Sequence, residues 1–299
     1  MRIAVTGSRG LIGTLLLPHL RSEGHEVVRI VRGRGEPDEI TWNPEGGTID
    51  ADTLRGVDAV VHLAGAGVGD HRWSASYKKT ILSSRVNGTT TLSEALSRLP
   101  RPPAVMVSAS AVGYYGSRGD EILTEDSGPG AGFLADVCRQ WESATTSAAS
   151  AGIRVVTLRT GVVLSAAGGA LKKQLPAFRL GLGARLGGGH QYFSWITRRD
   201  AVAAISFLVQ SEALSGPINL TAPRAVPNTE FTHELGRALR RPAKLFVPET
   251  VLRIVVGDEM TAEFLLASQR AVPERLLAAG FRFADPTLPE ALVTALRDR

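Results

Sequence analysis

The chain carries one cysteine, Cys138, in 299 residues. A lone thiol excludes an intramolecular disulfide and any cysteine-rich zinc site, and it suits a reducing, cytoplasmic setting. Long apolar runs are missing too: none approaches the ~20 residues needed to cross a bilayer, so the membrane is not expected as a partner. Charge of one sign is not concentrated. The net charge is +5, and the 34 Lys+Arg are mostly arginine, spread out with no aromatic-interleaved basic tract. That argues against nucleic acid as a partner. The six histidines lack the His-x-x-x-His spacing of a metal site, and no metal is expected. MRIAVTGS opens on a strand rather than a charged-then-apolar leader, so export by a signal peptide is not expected. Hydrophobic residues at 43% and charged ones at 21% give an ordinary globular balance.

What is present alternates. RIAVTG (2–7) is a short apolar run ending in glycine, the pattern of a buried strand. LIGTLLLPHLRSEG (11–24) follows with helical periodicity, with Pro18 to bend it and Gly24 to close it. Further strands are predicted at 25–32, 57–65, 104–110 and 153–161, with a short one at 39–44. Helices are predicted over about 73–98 and 133–151. This alternation predicts an α/β fold, a Rossmann-type doubly wound parallel sheet covered on both faces. Residues 166–191 are glycine-rich and read as a long loop. From about 222 the pattern is largely helical. The division is then 1–221, a nucleotide-binding domain that includes the glycine-rich loop, and 222–299, a small helical domain.

TGSRGLIG (6–13) spaces Gly7, Gly10 and Gly13 three apart, after a strand and at the start of a helix. Gly7 permits the tight turn, Gly10 admits a pyrophosphate close to the backbone, and Gly13 lets the helix pack near the sheet. The helix N-terminus offers unpaired N–H groups to the phosphates. The second strand ends in IVRGRGE, with Arg32 and Arg34 where NAD sites usually place an acid for the ribose hydroxyl. Arginines there suit a 2′-phosphate, which favours NADP over NAD.

The glycine spacing, HLAG (62–65) and SASAVGYYG (108–116) resemble the extended short-chain dehydrogenase/reductases. ITWNP (40–44), ILSSRVNGT (81–89), FLADVCRQWE (133–142) and LRTGVVLS (158–165) are more closely similar to the atypical branch of that superfamily known as the epimerase family, or nucleoside-diphosphate-sugar epimerase-like. So are RLGLG (179–183), GGGHQYFSWI (187–196) and LLASQRAVPERLLAAGFRF (265–283). The resemblance covers the chain and implies an NADP(H)-binding Rossmann-type domain with a small C-terminal domain. On it, Gly7, Ser8, Arg9, Gly10, Leu11, Ile12 and Gly13 cradle the pyrophosphate, and Arg32 meets the 2′-phosphate. Leu63, Ala64 and Gly65 line the adenine and ribose passage, and Arg85 reaches towards the cofactor. The corresponding region of extended members shapes the substrate pocket, which places His190, Gln191, Ser194 and Trp195 there. Asp200 is expected to cap the helix that follows.

Extended members also carry Tyr-x-x-x-Lys on the helix predicted at 133–151, with a glutamate four residues beyond the lysine. Counting back from Glu142 puts Leu134 at the tyrosine position and Cys138 at the lysine position. Leucine transfers no proton, and a thiol carries no fixed positive charge. Ser110, four residues before Tyr114, remains as the hydroxyl that donates to a substrate oxygen. Tyr114 and Tyr115 are the nearest proton sources in sequence. Two readings stay open. One is an NADP(H)-dependent oxidoreductase or epimerase, monomer or homodimer, acting on a small carbonyl or nucleotide-sugar-like substrate. The other is a non-catalytic NADP(H)-binding redox sensor or scaffold.

Overall fold

The expected sheet has eight strands: β1 (Arg2–Thr6), β2 (Glu26–Arg32), β3 (Glu39–Asn43), β4 (Thr48–Ile49), β5 (Ala59–His62), β6 (Val105–Ala111), β7 (Arg154–Thr160) and β8 (Gly216–Leu220). These come from a computed structural model that describes residues 1–33, 35–36 and 39–298. The strand order is β8-β7-β6-β5-β1-β2-β3-β4. The pairs β1–β2, β2–β3, β1–β5 and β5–β6 are parallel, and β3–β4 is antiparallel. β1 is the pivot. The chain runs outward through β2 and β3, then starts again at β5 on the other side. Such a reversal opens a crevice beyond the C-terminal ends of the strands, where Thr6 of β1 stands opposite His62 of β5.

By its internal contacts the chain forms two units. Unit 1 holds Met1–Ser110, Val137–Leu158 and Val202–Ile218; unit 2 holds Ala111–Asp136, Arg159–Ala201 and the chain from Asn219. The helices are α1 (Gly13–Ser22), α2 (Ala75–Ser97), α3 (Phe133–Ser143), α4 (Thr146–Ser150), α5 (Gly169–Arg179), α6 (Arg198–Gln210), α7 (Asn228–Leu239) and α8 (Glu249–Val256), with shorter turns before a final helix at Leu288–Arg297. No helix of the described residues is long and apolar enough to cross a membrane.

In unit 1, α2 begins where Ser74 accepts from the Tyr77 N–H, which satisfies one of the helix's open donors. Leu92 and Leu96 of α2 and Ala148 of α4 pack on Val28, Ile30, Ile40, Trp42, Val60 and Met106 of the sheet. Each fully buried leucine stabilises this packing by about 2 kcal/mol. The single helix expected at 133–151 is two. The Thr145 and Thr146 hydroxyls donate to the carbonyls of Glu142 and Ser143, and such side-chain bonds compete with the helical ladder.

In unit 2, the stretch expected to be a glycine-rich loop contains α5. Its Leu171, Leu175 and Phe178 fall on one face and are buried. They join Leu164 and Trp195 in a core with Phe231 and Leu235 of α7 and Leu288 and Leu292 of the final helix. That core draws on both sides of residues 221 and 222, where sequence composition divides the chain. Four short strand pairs tie the unit together: 184–186 with 245–247, 192–193 with 226–227, 195–197 with 162–164, and 270–271 with 122–123.

Candidate functional site

The glycine turn of unit 1 is built as the spacing predicts. Gly7 follows β1 at φ +66, and a Cβ on it would come within 2.8 Å of the Leu63 carbonyl carbon. A Cβ on Gly13 would lie 2.3 Å from the Gly7 oxygen. The Gly10 N–H closes the turn by donating to that same oxygen at 2.9 Å. α1 has no side-chain cap and no acidic residue in its first turn, so its end suits an anion. Ser8 is buried, Leu11 and Ile12 are half-buried, and Arg9 and Gly10 are exposed. Gly7 and Gly13 stand where a side chain would collide with backbone, and the turn fits a pyrophosphate.

Arg32 ends β2 in the open and lines a cleft of about 610 Å³ together with Gly33, Thr41, Trp42 and Asn43. Arg34 lies outside the described residues. At the end of β5, the Leu63 and Ala64 N–H groups donate to Thr6 Oγ1 at 3.0 and 3.2 Å. Gly65 beyond them is exposed, and a Cβ there would meet Arg85 Cζ at 3.5 Å. Arg85, on α2, therefore lies alongside Gly65 at the end of β5. It is only 8% exposed. Its Nη1 donates to the Ile81 carbonyl at 3.0 Å, and its guanidinium sits 4.9 Å over the Trp141 ring.

Behind this edge runs a buried polar chain that sequence reading missed. Thr6 Oγ1 lies 2.7 Å from His62 Nδ1, and His62 Nε2 lies 3.0 Å from Thr89 Oγ1. Trp141 Nε1 donates to the same Thr89 oxygen at 2.9 Å. Thr6 already accepts two amides, so its own proton goes to Nδ1, which leaves the imidazole proton on Nε2 for Thr89. Burial pushes His62 down to about 4, so the ring is neutral at physiological pH. The signal was a histidine ending an apolar strand, in AVVHLAG.

On α3, Cys138 is 3% exposed and Leu134 half-buried. Four residues past Cys138, on the same face, Glu142 receives the Ser110 hydroxyl: Oγ donates to Oε1 at 2.7 Å. The proton that the sequence reading assigned to a substrate oxygen lies here on the bond to Glu142. A serine has one proton, and here it is given to Glu142. Glu142 entered the sequence reading only as a marker of spacing.

In unit 2 the two tyrosines diverge. Tyr115 is fully buried. Its hydroxyl lies 2.7 Å from Asn219 Oδ1 and 3.0 Å from the Thr124 carbonyl, and it accepts from Arg159 Nη1 at 3.0 Å. Burial pushes that hydroxyl up to about 12, against the pull of Arg159. A phenol so enclosed is a core group and not a proton source. Tyr114 is half-buried, with the Arg159 guanidinium 3.5 Å over its ring.

Two of the residues expected in a substrate pocket are likewise core. Trp195 is 1% exposed within the apolar cluster of unit 2. Ser194 is 4% exposed; it donates to the Gln269 carbonyl and accepts from the Ala271 N–H. Gln191 is half-buried and closes a turn onto the Leu186 carbonyl, while His190 is exposed. Asp200 does not cap α6 either. Thr197 Oγ1 accepts the Asp200 N–H, and the Asp200 carboxylate holds the Ala284 and Asp285 amides at 2.8 and 3.0 Å.

Residues 3–220 match the model of the NAD dependent epimerase/dehydratase family, and residues 247–295 match a domain of unknown function, DUF1731. The chain is 47% identical over 291 residues to an epimerase family protein of Mycobacterium bovis, Mb2239, covering 97% of this chain and 96% of that one. Among solved structures, human epimerase family protein SDR39U1 with NADPH superposes at a TM-score of 0.90 and 33% identity, with both chains covered at 100%. A nucleoside-diphosphate sugar epimerase from Corynebacterium glutamicum superposes at 0.81 and 38% identity, over 99% of this chain and 58% of that one. By sequence along its whole length and by fold, the chain belongs to the NAD dependent epimerase/dehydratase family.

Proposed function

We propose that the chain binds NADP(H) and is an oxidoreductase or epimerase acting on the alcohol or carbonyl of a small or nucleotide-sugar-like substrate. The glycine cradle carries the binding half of this reading, since each of Gly7 and Gly13 admits no Cβ where it packs. Human SDR39U1, which superposes along its whole length, is a structure with NADPH. In this reading the cradle and the start of α1 hold the pyrophosphate. Arg32, at the edge of the cleft, pairs the 2′-phosphate, and Gly65 and Arg85 flank the ribose passage. The bound cofactor supplies hydride transfer at its nicotinamide.

The Ser110–Glu142 hydrogen bond favours an enzyme. A hydroxyl held on a carboxylate at the C-terminal edge of the sheet is chemistry that a pure scaffold does not need. The sensor reading is supported by Leu134 and Cys138, which leave α3 without the usual acid–base pair.

Calorimetry tests the cofactor assignment. NADPH is expected to bind more tightly than NADH, and Arg32→Glu to erase or invert that preference by about tenfold or more, the size of a lost charge-assisted contact. Equal affinities in the unmutated chain would remove the assignment. Nicotinamide absorbance on mixing with nucleotide sugars and small alcohols or carbonyls then separates the two readings. Turnover supports the enzyme, and none across the panel supports the sensor.

A further inference from the structure

We infer that Glu142 is the proton acceptor behind Ser110, and that the site is built to take a substrate as an alcohol. This rests on the proposed nicotinamide site and deepens it. The hydroxyl of Ser110, a residue 3% exposed, is 2.7 Å from Glu142 Oε1, within the ordinary range of an O–H···O bond. An ionised carboxylate only accepts, so Ser110 gives its single proton away and turns its lone pairs to whatever lies on its other side. A carbonyl has no proton to offer those lone pairs. An alcohol has one.

In the step that follows, the substrate C–H bond breaks and its hydrogen leaves as hydride to the nicotinamide of NADP+, the oxidant that the proposed function supplies. The substrate O–H proton passes to Ser110 Oγ as the Ser110 proton passes to Glu142 Oε1. The products are a carbonyl, NADPH and a protonated Glu142. Charge balances: the cationic ring and the carboxylate are neutralised together. No tyrosine and no lysine enters, so the step does not call on the positions that Leu134 and Cys138 occupy on α3. Glu142 acts through Ser110, so it is a positioning and proton-holding residue, whereas Ser110 touches the substrate.

A carboxylate in this place also favours the cationic NADP+ ring over neutral NADPH, and that is measurable with no substrate. The ratio of NADPH to NADP+ dissociation constants, taken at neutral pH by calorimetry, is expected to fall on the order of tenfold in Glu142→Gln. NADPH affinity itself should stay within about twofold, the spread expected of a neutral contact change. A purely structural role predicts that both affinities fall together, and this result, or an unchanged ratio, overturns the inference. The unmutated protein gives a second readout. Infrared spectra of its NADP+ complex, with glutamate labelled with carbon-13, should show Glu142 as a carboxylate, the band being assigned by its loss in Glu142→Gln. A protonated carboxyl band there overturns the inference as well. If the unmutated chain binds neither nucleotide, the proposed function fails; if it binds both and the ratio ignores Glu142, only this inference fails.

Discussion

His62 is kept neutral by burial, and neutrality in the folded state makes stability depend on pH. Its ordinary value of 6.5 applies once the chain unfolds, against about 4 in the fold. Above 6.5 neither state takes up a proton at this ring. Between 6.5 and 4 the unfolded chain takes one and the folded chain does not, so stability falls as pH falls and levels off below 4. The full difference is about 3 kcal/mol, as an order of magnitude. Urea unfolding at pH 7.5 and 4.5, roughly the two ends of this window, measures it. An acidic or a basic replacement would bury a charge, so the informative variant is His62→Gln, which keeps a polar side chain without the titration. Its loss of stability between the two pH values is expected to be smaller than that of the unmutated chain by about that amount. Equal losses would mean that the imidazole titrates normally.

At the scale of elements, α1 depends on an approach that only glycine permits. Gly13→Ala places a methyl 2.3 Å from the Gly7 oxygen, so either the helix start or the turn must move. NADPH affinity is expected to drop by about tenfold or more while the far-ultraviolet dichroism stays native. Unchanged affinity would show that the cradle does not hold the phosphates. This turn was legible in the sequence because its signal is local: three glycines, a strand before and a helix after. Six of the eight strands of the sheet were legible for the same reason, since apolar runs and their spacing are local; Thr48–Ile49 and Gly216–Leu220 were not. What escaped was long-range or disguised. Ser110 and Glu142 are 32 residues apart, and Ser194 meets Gln269 across 75. No spacing rule reports such partners, so a serine and a tryptophan in a glycine-rich motif read as pocket and proved to be core. α5 was disguised by the glycines around it, although Leu171, Leu175 and Phe178 carry helical spacing. Tyr115 looked like its neighbour, and only burial separates the two.

At the scale of the whole molecule, unit 2 is assembled from three separate stretches of chain. Its apolar cluster joins Leu164, Leu171, Phe178 and Trp195 to Phe231, Leu235 and Leu292. Residues 1–221 produced alone would retain the first group without the second. Each large side chain left uncovered forfeits about 2 kcal/mol, so this fragment is expected to bind hydrophobic dye and to sediment as aggregate, whereas the full chain does neither. A monodisperse, dye-silent fragment would show that the tail is an accessory. The same interleaving sets a timetable for synthesis on the ribosome. Unit 1 has all its residues once 218 has emerged, but unit 2 waits for the final helix at Leu288–Arg297. Until then the segment from Arg159 to Ala201 is held open with its leucines and Trp195 uncovered, a nascent chain of the kind that chaperones attend. The helix at Leu288–Arg297 is thus the one that closes the apolar core of unit 2.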